Sequence, residues 1–466
     1  MNKNMNNINI NRKNINVDMN PKKEKTSFPD WNKLQLQSFG GVDNVTKNMF
    51  VYENKDDILV VDCGVGFPDE PEKSGEEELL LPDFTYLLKN RDKVRGLVVT
   101  HAHFDHYGAV PELLKKINVP VYCSRLTQEF IKGKATDSGL KPNSIDFQVL
   151  KSTDNGVKIG GFELIPFHIN HSIPESLGLF IKTSLGNIFH VADYKFDWTP
   201  VDEGPFDIQK ASRLAALDKP LLLLSDCLGA AKAGHTDSET AIQEVLENII
   251  IRAKGMVLIT TISSNISRIK QAIQASANVG RKVAFLGRSL EQSSEIARKL
   301  GYLGKLKNFV IPPGKIKKQP FDKLTLIVAG SYGQSDSALQ RIAQGKHNLV
   351  KLKPKDTVIF SADPAPPGVR VAVNKMIDNL TRIGARVFYY EIQENLHVSG
   401  HGTAEDIKML MAIVRPHYLM PIGGDFRHMR AYQELAAKMG YPEDKVIFLK
   451  EKQAIKFSPN KRLVVQ

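Results

Sequence analysis

The chain has 466 residues, 42% of them hydrophobic, enough for two or three domains with cores of their own. No apolar run approaches the roughly 20 residues of a membrane span and the start lacks a signal-peptide core, so a cytoplasmic globular protein is expected. The widely spaced Cys63, Cys123 and Cys227 exclude a disulfide framework, and a formal charge of +12 is compatible with an anionic partner such as nucleic acid.

In chain order, residues 1–26 are rich in Asn and Lys, with six basic side chains against two acidic ones and no hydrophobic period; disorder is expected there. The next stretch, to residue 237, alternates short apolar strands with turns and helical patterns such as "VPELLKKI", an α/β texture.

Within it, "THAHFDHYGAV" (100–110) follows an apolar run and packs three histidines and an aspartate into six positions. Alternate residues of an extended chain face one way, so His101 and His103 can address one ion while Asp105 and His106 turn toward another. Four ligands so close together predict a two-metal site, which needs further groups and a bridging oxygen. The candidates are His171 in "NHSIPES" and Asp193 in "VADYKFD", the latter placed to bridge at a strand end. Asp62, after "ILVV", is expected to orient a histidine, and His168 and His190 to be core or supporting residues. Two-metal sites activate water and stabilise a leaving oxygen, so hydrolysis is the expected reaction class.

Near residue 238 the texture changes. Thr236 and Glu239 have capping-box spacing ahead of Ile242, Val245, Leu246, Ile249 and Ile250, which recur at helical intervals. Beyond them "GMVLITTI", "RKVAFLG", "LTLIVAG" and "DTVIFSA" alternate with helical stretches, predicting a doubly wound parallel sheet. Ligands bind such sheets past the carboxyl ends of the strands, where "SSN" (263–265), "GRS" (287–289), "GSYG" (330–333) and "SAD" (361–363) stand. Ser264, Asn265, Arg288 and Ser331 are therefore candidate phosphate contacts. Residues 304–323 carry six lysines against Asp322, a composition suited to sequence-independent RNA affinity.

"HAHFDH" resembles the HxHxDH motif of the metallo-β-lactamase superfamily. The longer stretches "KNMFVYENKDDILVVDCGVGFP", "HSIPESLGLFIKT", "DYKFDWTPVD", "GRKVAFLGRS" and "HVSGHG" resemble ribonuclease J, of the β-CASP branch, from about residue 35 onward. The resemblance implies a metallo-β-lactamase αββα sandwich in two chain segments (27–237 and 401–466) with an inserted β-CASP domain (238–400) and RNA in the cleft between them. It implies zinc, with manganese as an alternative: His101, His103 and His171 on one ion, Asp105 and His106 on the second, Asp193 bridging. It further implies that Asp226 and His401 form a proton-donating pair, and that His397, Val398, Ser399, Gly400 and His401 hold substrate phosphates. The implied activity is RNA hydrolysis, from a 5′-monophosphorylated end or internally.

The chain departs from that pattern at Gly423, where the family has a histidine ligand of the second metal; Asp425 and His428 in "PIGGDFRH" are the candidate replacements. "GSYGQ" (330–334), "SDCLG" (225–229) and "PPGVR" (366–370) also differ from it. An RNA- or partner-binding homologue with impaired catalysis is the second expectation, and a small-molecule hydrolase of the same superfamily the third. The family's additional C-terminal domain has no counterpart before "KRLVVQ", so the homo-oligomers associated with it are left open.

Overall fold

The structure, a computed structural model, describes residues 34–68, 79–217, 220–362, 369–458 and 463–465. The expected disordered tail, Asp363 and most of "PPGVR" lie outside the described residues. The strands in chain order are β1 (Leu34–Ser38), β2 (Phe50–Glu53), β3 (Ile58–Val61), β4 (Val94–Val99), β5 (Val121–Cys123) and β6 (Phe147–Val149). Next come β7 (Val157–Ile159), β8 (Phe162–His168), β9 (Leu177–Lys182), β10 (Ile188–Val191) and β11 (Leu222–Asp226). They are followed by β12 (Val257–Thr260), β13 (Lys282–Leu286), β14 (Leu324–Val328), β15 (Thr357–Phe360), β16 (Arg386–Phe388), β17 (Tyr418–Ile422), β18 (Ala454–Phe457) and β19 (Leu463–Val465).

These form three sheets, ordered β19-β18-β1-β2-β3-β4-β5-β6, β17-β11-β10-β9-β8-β7 and β13-β14-β12-β15-β16. The first two stack face to face. Leu36, Leu59 and Val98 of one and Leu164, Leu179, Leu222 and Met420 of the other share one buried core, so each of these strands spends its inward residues on the same apolar layer. The helices Ile208–Leu217, Ala404–Val414 and Phe426–Lys438 cover the outer face of the second sheet, which gives the expected layered sandwich. The chain after residue 400 returns to both sheets: β17 pairs in parallel with β11, and β18 pairs antiparallel with β1.

The third sheet is entirely parallel. Its strands are buried Val, Ile and Leu runs, and long helices such as Ile266–Asn278 and Arg288–Leu300 connect them, as the alternating pattern predicts. Because all five strands point one way, the polar turns after β12, β13, β14 and β15 emerge on one edge. The chain order reverses at β12, between β14 and β15, which makes that edge a switch-point crevice. The lysine-rich segment forms three short 3₁₀ turns, Gly304–Phe309, Pro313–Lys318 and Phe321–Lys323, whose lysines are exposed.

One local expectation fails. The helix starts at Ala241, and its N-cap, Thr240, makes no side-chain cap bond. Thr236 instead donates its hydroxyl to the His401 carbonyl, and Glu239 pairs with Arg268 and Lys195. Tertiary partners outbid the local cap because buried charges need them more than an exposed helix end does.

Candidate metal centre

The site lies where parallel strands from both stacked sheets end together. Strands β3 and β4 run in parallel and deliver Asp62 and Thr100–His101; β10, β11 and β17 run in parallel and deliver Asp193, Asp226 and Gly423. The loop after β8 brings His171 against them, and the "HVSGHG" segment brings His401.

Asp62 organises the histidines, as its position suggests. It is fully buried with a left-handed backbone (φ 62°). One carboxylate oxygen accepts from the Thr100 N–H at 2.7 Å; the other accepts from the Thr100 hydroxyl at 2.9 Å and from His106 Nδ1 at 2.8 Å. The Thr100 oxygen then faces His101 Nδ1 at 3.0 Å, and the Gly400 carbonyl accepts from His171 Nδ1 at 2.7 Å. Each ring is thereby held with Nε2 turned inward. Asp193 Oδ2 sits in their midst, 3.6 Å from the Nε2 of His101, 3.6 Å from that of His171 and 3.4 Å from that of His106.

His101, His103, His171 and Asp193 each offer a ligand atom within 4.8 Å of the others, and so do Asp193, Asp226 and His401. The first group fits a cation. His101 Nε2 is buried without any hydrogen-bond partner, a costly arrangement for a polar atom unless something else satisfies it. Burial and neighbouring histidines hold His101 and His171 well below the usual imidazole range, and burial takes His103 down to about 3, so all three present lone pairs. Burial alone would raise the Asp193 carboxyl, but His106 and His401 outweigh it and hold the group ionised. Asp105 is pushed up to about 6, mainly by burial.

Beside this group His401 Nδ1 bonds Asp226 Oδ2 at 2.6 Å. Burial opposes charge on the imidazole, yet Asp226 and Asp193 win and carry it to about 9. His401 therefore holds a proton at neutral pH.

The remaining expected substrate contacts divide. Ser399 Oγ accepts from the His401 N–H, and Arg288 is exposed at the first position of its helix, Ser264 half-buried in the neighbouring turn. Ser331 is buried and lines a small cavity with Arg370 and Tyr390. Two readings are corrected. Val398 packs its side chain into the core, and Asn265 spends its oxygen capping its own helix through the Arg268 N–H. His397 is half-buried beside the Glu239 network, where burial and Arg268 hold it down to about 3. His190 bonds the Tyr52 hydroxyl and His168 the Gly204 carbonyl.

Asp425 and His428 do not replace the missing ligand. They form a reciprocal capping box at the start of helix Phe426–Lys438, and Asp425 also pairs with Arg427. Sequence reasoning missed Asn48, whose buried amide touches His106 and Asp105, and the Gly400 carbonyl; neither carries a local signal.

Three family models match in succession: "Metallo-beta-lactamase superfamily" over residues 42–216, "Ribonuclease J, beta-CASP domain" over 254–380 and "Zn-dependent metallo-hydrolase RNA specificity domain" over 388–447. Ribonuclease J 1 of Streptococcus pyogenes is 35% identical across 90% of this chain and 73% of its own length. The chain belongs to the ribonuclease J family. Ribonuclease J of Thermus thermophilus is 36% identical across 89% of this chain and 72% of its own, and the Helicobacter pylori protein is 33% identical, with 61% of its length spanned. A solved structure of a protein of unknown function from Enterococcus faecalis superposes with a TM-score of 0.61 over 91% of this chain and all of that one, at 15% identity, a likeness of fold. The family thus joins the metallo-β-lactamase sandwich and the β-CASP domain expected from the sequence.

Proposed function

We propose that this member of the ribonuclease J family is a zinc-dependent enzyme that cleaves RNA from a 5′-monophosphorylated end, internally, or both. The family makes it a metal-dependent ribonuclease. The observation that carries the metal reading is the group of His101, His103, His171 and Asp193 around an unpartnered, buried His101 Nε2. Zinc suits three imidazoles and a carboxylate, and manganese can substitute at such a site.

A divalent cation bound there supplies Lewis acidity toward a phosphoryl oxygen and lowers the pKa of water. The chain's own residues do the rest. Asp62, Thr100 and the Gly400 carbonyl hold the ligand rings in register. His401, protonated and held by Asp226, donates to the leaving 3′ oxygen. The Ser264, Arg288 and Ser331 rim orients the strand by its phosphates. In this reading the metallo-β-lactamase segments are 27–237 and 401–466 and the β-CASP domain is 238–400.

No helix among the described residues is long and apolar enough to cross a membrane, and all three cysteines are free and buried. A reducing cytoplasmic setting agrees with both.

The test is cleavage of 5′-monophosphorylated RNA labelled at its 5′ end, with Zn²⁺ or Mn²⁺ and His103→Ala as control. Labelled mononucleotide indicates exonuclease action, longer labelled fragments internal cleavage, and full activity in His103→Ala overturns the assignment. Gly423, which offers no ligand, favours one alternative, an RNA-binding homologue without turnover; tight binding and no product with metal confirmed would establish it.

A further inference from the structure

Thr236 and Glu239 have the spacing of a helix cap yet cap nothing, and their actual partners lead to His401. The chain passes between the sandwich and the third sheet twice, and the two crossings lie side by side. Gly229 bridges in parallel with Thr403, and the Ala404 and Glu405 N–H groups bond the Lys232 and Gly234 carbonyls at 2.9 and 3.0 Å. Thr236, on the outgoing crossing, donates its hydroxyl to the His401 carbonyl at 2.8 Å and its N–H to Asp406 Oδ2 at 2.9 Å. The same oxygen accepts from the Thr403 N–H at 2.9 Å, so one fully buried carboxylate ties the outgoing chain to the returning one.

The returning crossing is held again at Leu396, ahead of His401. The Leu396 carbonyl accepts from Ser361 Oγ at 2.7 Å and from Arg268 at 3.3 Å, and Arg268 also bonds Ser361 Oγ at 2.9 Å and Glu239 Oε2 at 2.7 Å. Glu239 follows Thr236 on the outgoing crossing, so both crossings enter this second hold. Between the two holds the Leu396 and Val398 side chains are sunk in the core, and His401 Nδ1 meets Asp226 Oδ2 at 2.6 Å. A proton donor acts only along a short, directed path, and a displacement of about 1 Å is enough to cost on the order of 100-fold in rate.

We infer that Thr236 and Arg268 are positioning residues for His401: Thr236 holds the proton donor by its own carbonyl, and Arg268, with Ser361, holds the head of the segment that carries it. His401 then stands in place only while the two crossings are joined. The inference rests on the reading of His401 as proton donor to the leaving 3′ oxygen and names what keeps it there.

The experiment compares turnover of two short 5′-monophosphorylated RNAs by the purified, zinc-loaded full chain, one unmodified and one with sulfur in place of the 3′ oxygen at its linkages. Sulfur departs without a proton, so the second RNA is indifferent to the placing of the donor and still reports every other role of a residue. Thr236→Val keeps the shape and removes the hydroxyl; it is expected to lower kcat on the first RNA about 10-fold, with KM and zinc content unchanged, and to turn over the second as fast as the native chain. Thr236→Ser is expected to recover the lost turnover. Ser361→Ala, milder than any change at Arg268, is expected to show the same selective loss, and its failure to do so would strike out Arg268. Equal losses on both RNAs, no loss on the first, or no recovery in Thr236→Ser would overturn the inference. His401→Ala is the reference: a selective loss there supports the reading of His401, and its absence would overturn that reading, and the inference with it, whatever Thr236→Val shows.

Discussion

At the scale of single residues, Asp62 shows how much of this site is support. Its left-handed backbone lets one carboxylate reach Thr100 twice and His106 once, so the rings of His101 and His106 both depend on one buried anion. Asn tolerates that backbone better than most residues but brings no charge. Asp62→Asn is expected to fold normally and bind Zn²⁺ about 10–100-fold more weakly, measured by chelator competition. The role of Asp62 was legible from its place after an apolar run. That of Asn48 was not, because it exists only through contact with residues 57 and 58 positions away.

At the scale of elements, helix Ile266–Asn278 fastens the third sheet to the sandwich. Arg268 is fully buried, bonding Glu239 Oε2 at 2.7 Å, Ser361 Oγ at 2.9 Å and the Leu396 carbonyl at 3.3 Å. Lys195, from the "DYKFD" stretch, completes the group with Glu239 and Asp197. Burial opposes charge on Glu239, but Arg268 and Lys195 outweigh it and keep the carboxyl below its usual range. Arg268→Met leaves a buried carboxylate short of a partner and is expected to cost about 3–5 kcal/mol in urea unfolding; adding Glu239→Gln should recover part of that loss. The helix itself was legible from its period. The burial of its arginine was not, because a charged residue declares its depth only when its partners are known.

At the scale of the whole molecule, a second fastening joins the two halves near the site. Tyr302, beyond helix Arg288–Leu300, donates to Glu175 at 2.8 Å, and Lys270 pairs with Asp202 at 2.5 Å. Between them Glu203 accepts from the Glu175 N–H, and burial pushes its carboxyl up from 4.5 to about 7. A raised carboxyl binds its proton more tightly in the folded state, so its stabilisation is full below about pH 4.5 and is lost as the pH rises toward 7. Relative to Glu203→Gln, which keeps the acceptor without titrating, the native chain is expected to lose about 2–3 kcal/mol of stability between pH 4.5 and 7.5, followed by thermal unfolding across that range.

By itself the sequence determined the strand and helix periods, the α/β class, the inserted parallel sheet and the dense "HAHFDH" cluster, because each is written in neighbouring residues. Only the tertiary structure decided which side chains meet. Asp193, Asp226 and Gly423 share an edge because β10, β11 and β17 pair in parallel across more than two hundred residues of chain. A helix cap keeps Asp425 and His428 from the cluster, packing in a separate core encloses Val398, and the neighbouring sheet sets Asn48 against His106. Ligation and hydrogen bonding act over about 2–3 Å, a range at which strand register, and not spacing along the chain, selects the partner.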